Sequence, residues 1–145
     1  MNTLVRYLLA LALVVTGKAV ACPAMAIDVH SKLYQKALAQ ITELPEYKSW
    51  ALTISKTEGV HVAFDPNPPE EQVLILRRCY IPITLYSDEG THLHRWNTFY
   101  VSVKHNQVLV EDNSGEDPIT LSAWRRSNIP VERDASRRSR SRSSP

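Results

Sequence analysis

The sequence has little glycine and little cysteine. Four glycines and two cysteines stand among 145 residues, beside nine prolines. This composition excludes a collagen-like repeat and a small domain held mainly by disulfides. Apolar residues make up 43% and charged residues 22% of the chain, which excludes a wholly disordered protein. The length supports one domain rather than two.

The sequence also lacks the short motifs of common catalytic sites. It contains neither the Gly-x-Ser-x-Gly turn of a serine hydrolase nor a glycine-rich phosphate loop. Cys79 lies among apolar residues of a predicted strand, where a thiol stays protonated and inert. These absences favour a non-catalytic protein, and the sequence predicts no cofactor.

A nine-residue apolar run occupies residues 7–15. It is too short to span a bilayer, which requires about 20 apolar residues. Arg6 precedes it, Lys18 follows it, and small residues end two candidate cleavage sites at Ala21 and Ala26. We therefore expect residues 1–26 to be a secretory signal peptide and the protein to be periplasmic or secreted.

The cleavage site decides the chemistry of Cys22. Cleavage after Ala21 leaves Cys22 free to pair with Cys79 in an oxidising compartment. It also leaves Cys22 open to lipidation, because the sequence Ala-Val-Ala-Cys ending at this residue resembles a degenerate bacterial lipobox. Cleavage after Ala26 removes Cys22 and leaves Cys79 alone. The spacing favours Ala21, since Ala26 lies far from the apolar run.

Charge is unevenly distributed along the chain. Residues 27–132 hold 10 basic and 14 acidic residues, whereas residues 133–145 hold five arginines and one aspartate. The Arg/Ser tail has almost no apolar surface to bury, so it is expected to be disordered. Such a tail can contact an anionic membrane or polymer. Export argues against a specific nucleic-acid partner.

Apolar side chains recur at helical spacing near the start of the body, and Pro45 is expected to end or kink that helix. The stripe comprises Val29, Leu33, Ala37, Ile41 and Leu44. Residues 46–50 can add a helical turn. Period-two alternation then predicts strands over 52–55, 60–64, 73–86, 92–103 and 108–111, and a short helix follows over 121–126.

The predicted fold is therefore α+β. One N-terminal helix packs on an antiparallel β-meander of four to five strands, with a short C-terminal helix, in a single domain over residues 27–132. Pro82 places its strand at an edge or a bulge.

Alternation divides the predicted sheet into two faces. Ile81, Ile83 and Leu85 fall on one face with Cys79. The aromatic residues of the second face are Tyr80, Tyr86, Trp96 and Tyr100. This aromatic set predicts either a partner-binding patch or a second core layer. The pattern leaves open which face the helix covers.

Two histidines, His92 and His94, stand two residues apart. On a strand their side chains point to the same side, which suits chelation of zinc or copper. His61, Asp65 or Asp88 is the candidate third ligand. The pattern favours two surface histidines beside a turn, and the alternative is the ligand set of a metal-assisted hydrolase.

The C-terminal half resembles small exported bacterial proteins of unknown function. The segments that carry the likeness are 87–92, 95–101, 108–112 and 121–125, within residues 75–126. The order of a helix followed by a sheet is similar to that of cystatin-like and NTF2-like folds. The resemblance implies this fold and an exported bacterial origin, and it implies no site residues.

These features together favour an exported, non-catalytic binding protein. Its partner is expected to be another protein, as for an inhibitor or immunity-type partner of an envelope hydrolase or toxin. The acidic body favours a basic partner such as a lysozyme-like enzyme. The alternatives are the metal-assisted hydrolase and a lipid-anchored structural protein of the envelope.

Overall fold

The computed structural model describes residues 21–23, 27–66, 70–112, 114–115 and 117–127. Most of the predicted signal peptide and the whole Arg/Ser tail lie outside the described residues, and the roles expected of them stay predictions.

The first helix, α1, spans Lys32–Thr42. It begins where the backbone N–H of Tyr34 donates to Oγ of Ser31, 3.1 Å away, so the cap satisfies a free amide of the first turn. Tyr34, Ala37 and Ile41 are its buried residues. The predicted stripe is confirmed at Ala37 and Ile41, whereas Leu33 is 41% exposed. Tyr34, the next residue along the helix, is buried instead, because Tyr34, Ala37 and Ile41 follow the three- and four-residue spacing of one helical face.

A second helix, α2, spans Pro45–Ser55. α1 ends at Thr42, shortly before Pro45, a residue that cannot continue a helix. Pro45 then begins α2, because a proline at the first helical position gives up no hydrogen bond. The predicted strand over 52–55 is therefore wrong. Tyr47 and Trp50, three residues apart, pack against the core, and this helical spacing prevails over four residues of alternation.

Six antiparallel strands follow, and a third helix ends the described fold. The strands are β1 (His61–Phe64), β2 (Val73–Ile75), β3 (Arg78–Asp88), β4 (Leu93–Ser102), β5 (Gln107–Val110) and β6 (Ile119–Thr120), and the helix is α3 (Leu121–Ser127). The order is β1-β3-β4-β5-β6, with β2 paired to β3. The α+β class with an antiparallel sheet is confirmed. The expectation of one N-terminal helix and four to five strands is corrected to two helices and six strands.

The predicted strand over 73–86 is divided by a tight turn at Leu76 and Arg77. Both residues have positive φ, 47° and 63°. The register pairs Ile75 with Arg78, so the turn contains two residues. Asparagine and glycine normally occupy such turns, and their absence made this turn invisible in the sequence.

Pro82 lies in a gap along the outer edge of β3. β2 pairs with residues 78–80 and β1 with residues 85–88. The carbonyl of Thr84 accepts the backbone N–H of Asp65 at 3.1 Å, so Thr84 turns its backbone groups toward this edge. Pro82 has the same parity, so its missing N–H costs no bond to β4. The prediction that this strand lies at an edge of the sheet is wrong, because β3 lies between β1 and β4; the proline is accommodated at the local gap instead.

The helices cover the face of the sheet that carries Ile81, Ile83 and Leu85. These side chains are at most 3% exposed, and Phe99 and Val101 of β4 are fully buried beside them. α1 supplies Ala37 and Ile41 to the same cluster. The structure thus identifies the core face, which alternation had left open.

A β-bulge separates the two halves of the β3–β4 pairing. Leu85 pairs with Asn97, but the next residue, Tyr86, pairs with Arg95. Trp96 is the extra residue, and it packs against the core with its ring centroid 5.5 Å from that of Phe99. The prediction that Trp96 shares the second face with Tyr100 is therefore wrong, because the bulge changes the alternation at this residue.

Candidate binding site at the three tryptophans

The three tryptophans of the sequence converge at one end of the core. Trp50 comes from α2, Trp96 from the bulge of β4 and Trp124 from α3. The rings of Trp50 and Trp96 stack with centroids 4.3 Å apart and planes inclined by 4°. Trp124 meets Trp96 edge to face at 6.3 Å. Both geometries are favourable for aromatic pairs.

An open pocket of about 610 Å³ lies over these rings, which are themselves half-buried. We call it the tryptophan pocket; its lining residues are Pro45, Glu46, Ser49, Trp50, Trp96, Asn97 and Trp124. Its volume is in the range of ligand-binding pockets, roughly 300–1,000 Å³. Aromatic faces with a few polar groups at the rim are the usual composition of such a site.

An ion pair holds one wall of the pocket. Nε of Arg125 donates to Oε1 of Glu46 at 2.5 Å, and Nη2 donates to Oε2 at 3.1 Å. This bidentate contact joins α3 to α2. The hydrogen bond from Arg125 lowers the pKa of Glu46, and the same bond raises the pKa of Arg125. Glu46 is therefore ionised at neutral pH and has no proton to donate as a general acid.

The pocket lacks the partners of a nucleophilic site among the described residues that line it. Ser49 supplies the hydroxyl, but no histidine, lysine or cysteine accompanies it. Both carboxylate oxygens of Glu46 already accept bonds from Arg125. Because an activated serine needs an adjacent base, the arrangement is suited to binding by ring contact and hydrogen bonding.

The second face of the sheet does not form the predicted aromatic patch. Tyr80 is 1% exposed, and its hydroxyl donates to Oε1 of Gln107 at 2.9 Å. Tyr86 and Tyr100 are half-buried, and Trp96 lies on the opposite face, against the core. The four residues predicted as a binding set are therefore divided between the two faces.

Polar contacts cover much of the second face. The hydroxyls of Thr84 and Thr98 lie 2.9 Å apart across the strands. Nη2 of Arg95 donates to Oγ1 of Thr98 at 2.6 Å and also pairs with the carboxylate of Glu111. In these contacts the polar side chains of the second face bond to one another rather than to a ligand, so the tryptophan pocket is the stronger candidate for a binding site.

The structure brings His92 and His94 together, as their spacing predicts, but with a different third residue. Their ring centroids are 4.6 Å apart, and the carboxylate of Glu89 lies beside both Nε2 atoms. His61, although described, does not join this group. Glu89, which the loop between β3 and β4 brings back over the strand, therefore occupies the place beside the two imidazoles that the sequence left to His61, Asp65 or Asp88.

The two cysteines, Cys22 and Cys79, form a disulfide with their Cα atoms 5.5 Å apart. It ties the N-terminal segment to the start of β3. A sulfur in a disulfide cannot also carry a thioether-linked lipid, so the two predicted fates of Cys22 exclude each other. The structure contains the disulfide.

Comparison with known proteins finds no family model, no curated protein and no solved structure that matches this chain. Within the described residues, each helix is too short or too polar to cross a membrane.

Most of the tryptophan pocket leaves no signal in the sequence. Of the residues that line it, only Trp96 belongs to the binding set that the sequence predicts. The single usable signal was the small number of tryptophans, three in all, because residues so large and rare are frequent at binding sites. Their convergence depends on the bulge and on α2, which alternation did not reveal.

Proposed function

We propose that this protein is an exported, non-catalytic binding protein that docks on another protein through its tryptophan pocket. The observation that carries the proposal is the convergence of Trp50, Trp96 and Trp124 at one open pocket. Tryptophan is strongly enriched among the residues that dominate binding energy at protein interfaces.

Charge and ring chemistry together favour a basic partner. The body over residues 27–132 has four more acidic than basic residues, which attracts a basic protein at long range. A lysine or arginine that protrudes from the partner can place its charge over an indole face. An acidic body with exposed indole faces suits an inhibitor or immunity-type protein whose partner is a basic envelope hydrolase or toxin.

Export is supported by the disulfide as well as by the predicted signal peptide. A Cys22–Cys79 bridge is stable in an oxidising compartment such as the periplasm or the extracellular space. A lipid anchor on Cys22 would need the same sulfur, so a soluble form is favoured over the lipid-anchored alternative. The basic tail then supplies any contact with an anionic membrane or polymer.

Partner capture with matched variants tests this proposal. Immobilised wild type, Trp124→Ala and Leu52→Ala would be exposed to envelope extract, and then to purified lysozyme as a basic probe. Leu52 lies on α2 outside the pocket and is 57% exposed, so it controls for loss of a surface apolar group. We expect a stoichiometric basic partner to bind wild type and Leu52→Ala but not Trp124→Ala.

Two outcomes would overturn the proposal. Capture of the partner equally by all three proteins would exclude the pocket, and failure of wild type to capture any stoichiometric protein would exclude the function. Trp124→Phe, which keeps a ring at the same position, guards against a folding defect. It should retain part of the binding if the ring face makes the contact.

A further inference from the structure

The turn between β3 and β4 gathers three metal-ligating side chains on the surface. Nε2 of His92 lies 3.1 Å from Oε2 of Glu89, and Nε2 of His94 lies 3.4 Å from Oε1 of the same carboxylate. The candidate ligand atoms of the three residues all lie within 4.8 Å of one another. Glu89 therefore faces both imidazoles at once.

The backbone of the turn fixes this arrangement. The N–H of Glu89 donates to the carbonyl of His92 at 3.2 Å, and the N–H of Gly90 donates to Oδ1 of Asp88 at 2.7 Å. Gly90 has a φ of +80°, a conformation that glycine adopts without strain. The turn thus folds Glu89 back over the first residues of β4.

A hydrogen bond orients one of the two imidazoles. Nδ1 of His92 lies 2.7 Å from Oγ1 of Thr91. When Nδ1 donates this bond, Nε2 carries the lone pair and faces Glu89. Metal-binding histidines are usually oriented in this way, through a hydrogen bond made by the other ring nitrogen.

The separations suit a tetrahedral zinc ion. Zinc bonds to nitrogen and oxygen measure roughly 2.0–2.1 Å, which places two tetrahedral ligand atoms about 3.3 Å apart by geometry. Both histidine–glutamate separations, 3.1 and 3.4 Å, are close to this value.

We propose that Glu89, His92 and His94 bind a zinc ion, with the fourth position left to water or to a donor from a partner. Two histidines and one carboxylate are an established zinc ligand set. The three side chains are 40–58% exposed, so their contacts with one another alone contribute little to stability. None of them lines the tryptophan pocket, so the zinc site is independent of the proposed partner site.

The experiment is calorimetric titration of the untagged, full-length mature protein with ZnCl₂ in a non-chelating buffer near neutral pH. The test variants are His94→Ala and Glu89→Gln, and the matched controls are His61→Ala and His105→Ala, two histidines outside the cluster. We expect one zinc per chain in wild type and in both controls. Loss of a direct ligand should weaken the affinity by at least about tenfold.

Absence of stoichiometric binding by wild type would overturn the proposal. So would equal affinity for His94→Ala and wild type, or an equal loss in His61→Ala. Melting temperatures measured with EDTA should be the same for wild type and all four variants, because the side chains are exposed, and this separates a lost ligand from a lost fold. Capture of the protein partner with EDTA present tests the tryptophan pocket separately.

Discussion

The indole rings of Trp50 and Trp96 stack face to face, with centroids 4.3 Å apart and planes inclined by 4°. One ring comes from a helix that begins at a proline and the other from a bulged strand residue. This contact joins α2 to the sheet and forms the floor of the tryptophan pocket. The same two rings therefore contribute to stability and to the proposed binding.

A double-mutant cycle of Trp50→Ala and Trp96→Ala should reveal a favourable coupling. Stacked aromatic pairs contribute about 0.5–1.5 kcal/mol beyond the area that they bury. The free energy of unfolding would be measured by urea titration for wild type, both single variants and the double variant. Additive losses would show that the rings are neighbours without mutual stabilisation.

Phe99→Ala should be severely destabilising. Phe99 is fully buried and contacts both Trp96 and Trp124. Truncation of a buried phenylalanine costs about 3–5 kcal/mol, a large part of the stability of an ordinary domain. Urea unfolding would measure the loss, with Leu93→Ala as the control on the same strand, since Leu93 is 41% exposed. Similar losses for the two variants would contradict the assignment of the core face.

Several of these features follow from local sequence patterns. The spacing of Ala37 and Ile41 predicts the buried face of α1, because a helix repeats every 3.6 residues. Alternation through Ile81, Ile83 and Leu85 correctly identifies side chains that share one face of β3. Both patterns hold wherever the backbone is regular.

The candidate sites depend on places where the backbone is irregular. Trp96 reaches the pocket because a bulge inserts one residue into β4, and Glu89 joins the histidines because a turn folds it back. Neither displacement leaves a periodic signal. Leu76 and Arg77 likewise form a turn without glycine, asparagine or proline, the residues by which turns are recognised. The regular framework was predictable, whereas these departures from it depend on long-range packing.

Reduction of the disulfide should destabilise the protein substantially. Cys22 and Cys79 are 57 residues apart in sequence, and the chain-entropy model gives about 4 kcal/mol for closing a loop of that length. Urea unfolding with and without dithiothreitol would measure the difference. The Cys22→Ala/Cys79→Ala variant should show no response to reductant. An unchanged unfolding midpoint for reduced wild type would show that the bridge adds nothing.

Acid should weaken the contact between α2 and α3. Arg125 lowers the pKa of Glu46 below its ordinary value of 4.5. As the pH falls, the Glu46 carboxylate is therefore protonated in the unfolded chain before it is protonated in the folded protein. The contribution of the ion pair is complete above the ordinary pKa and is lost as the pH falls through the lower, folded value. Because the Arg125 side chain is 46% exposed, we expect at most about 1 kcal/mol.

Glu46→Gln tests this pH dependence. The difference in unfolding free energy between wild type and variant should be largest near neutral pH and should shrink in acid. Glu58→Gln, an exposed carboxylate in the turn after α2, should give a difference that is small throughout. A difference for Glu46→Gln that grows as the pH falls would contradict the assigned direction of the pKa shift.

The turn at Leu76 and Arg77 should become more stable when its residues are replaced by Asn and Gly. Both residues have positive φ, which costs a residue with a side chain roughly 1–2 kcal/mol, and Asn-Gly is the preferred pair for such a two-residue hairpin turn. Leu76 is 83% exposed, so its replacement sacrifices little burial. Thermal unfolding of Leu76→Asn/Arg77→Gly under oxidising conditions should show a gain of about 1 kcal/mol or more. Leu74→Asn, at an exposed strand position outside the turn, should show no gain. A loss of stability in the turn variant would mean that the Leu76 and Arg77 side chains make stabilising contacts that outweigh the backbone strain.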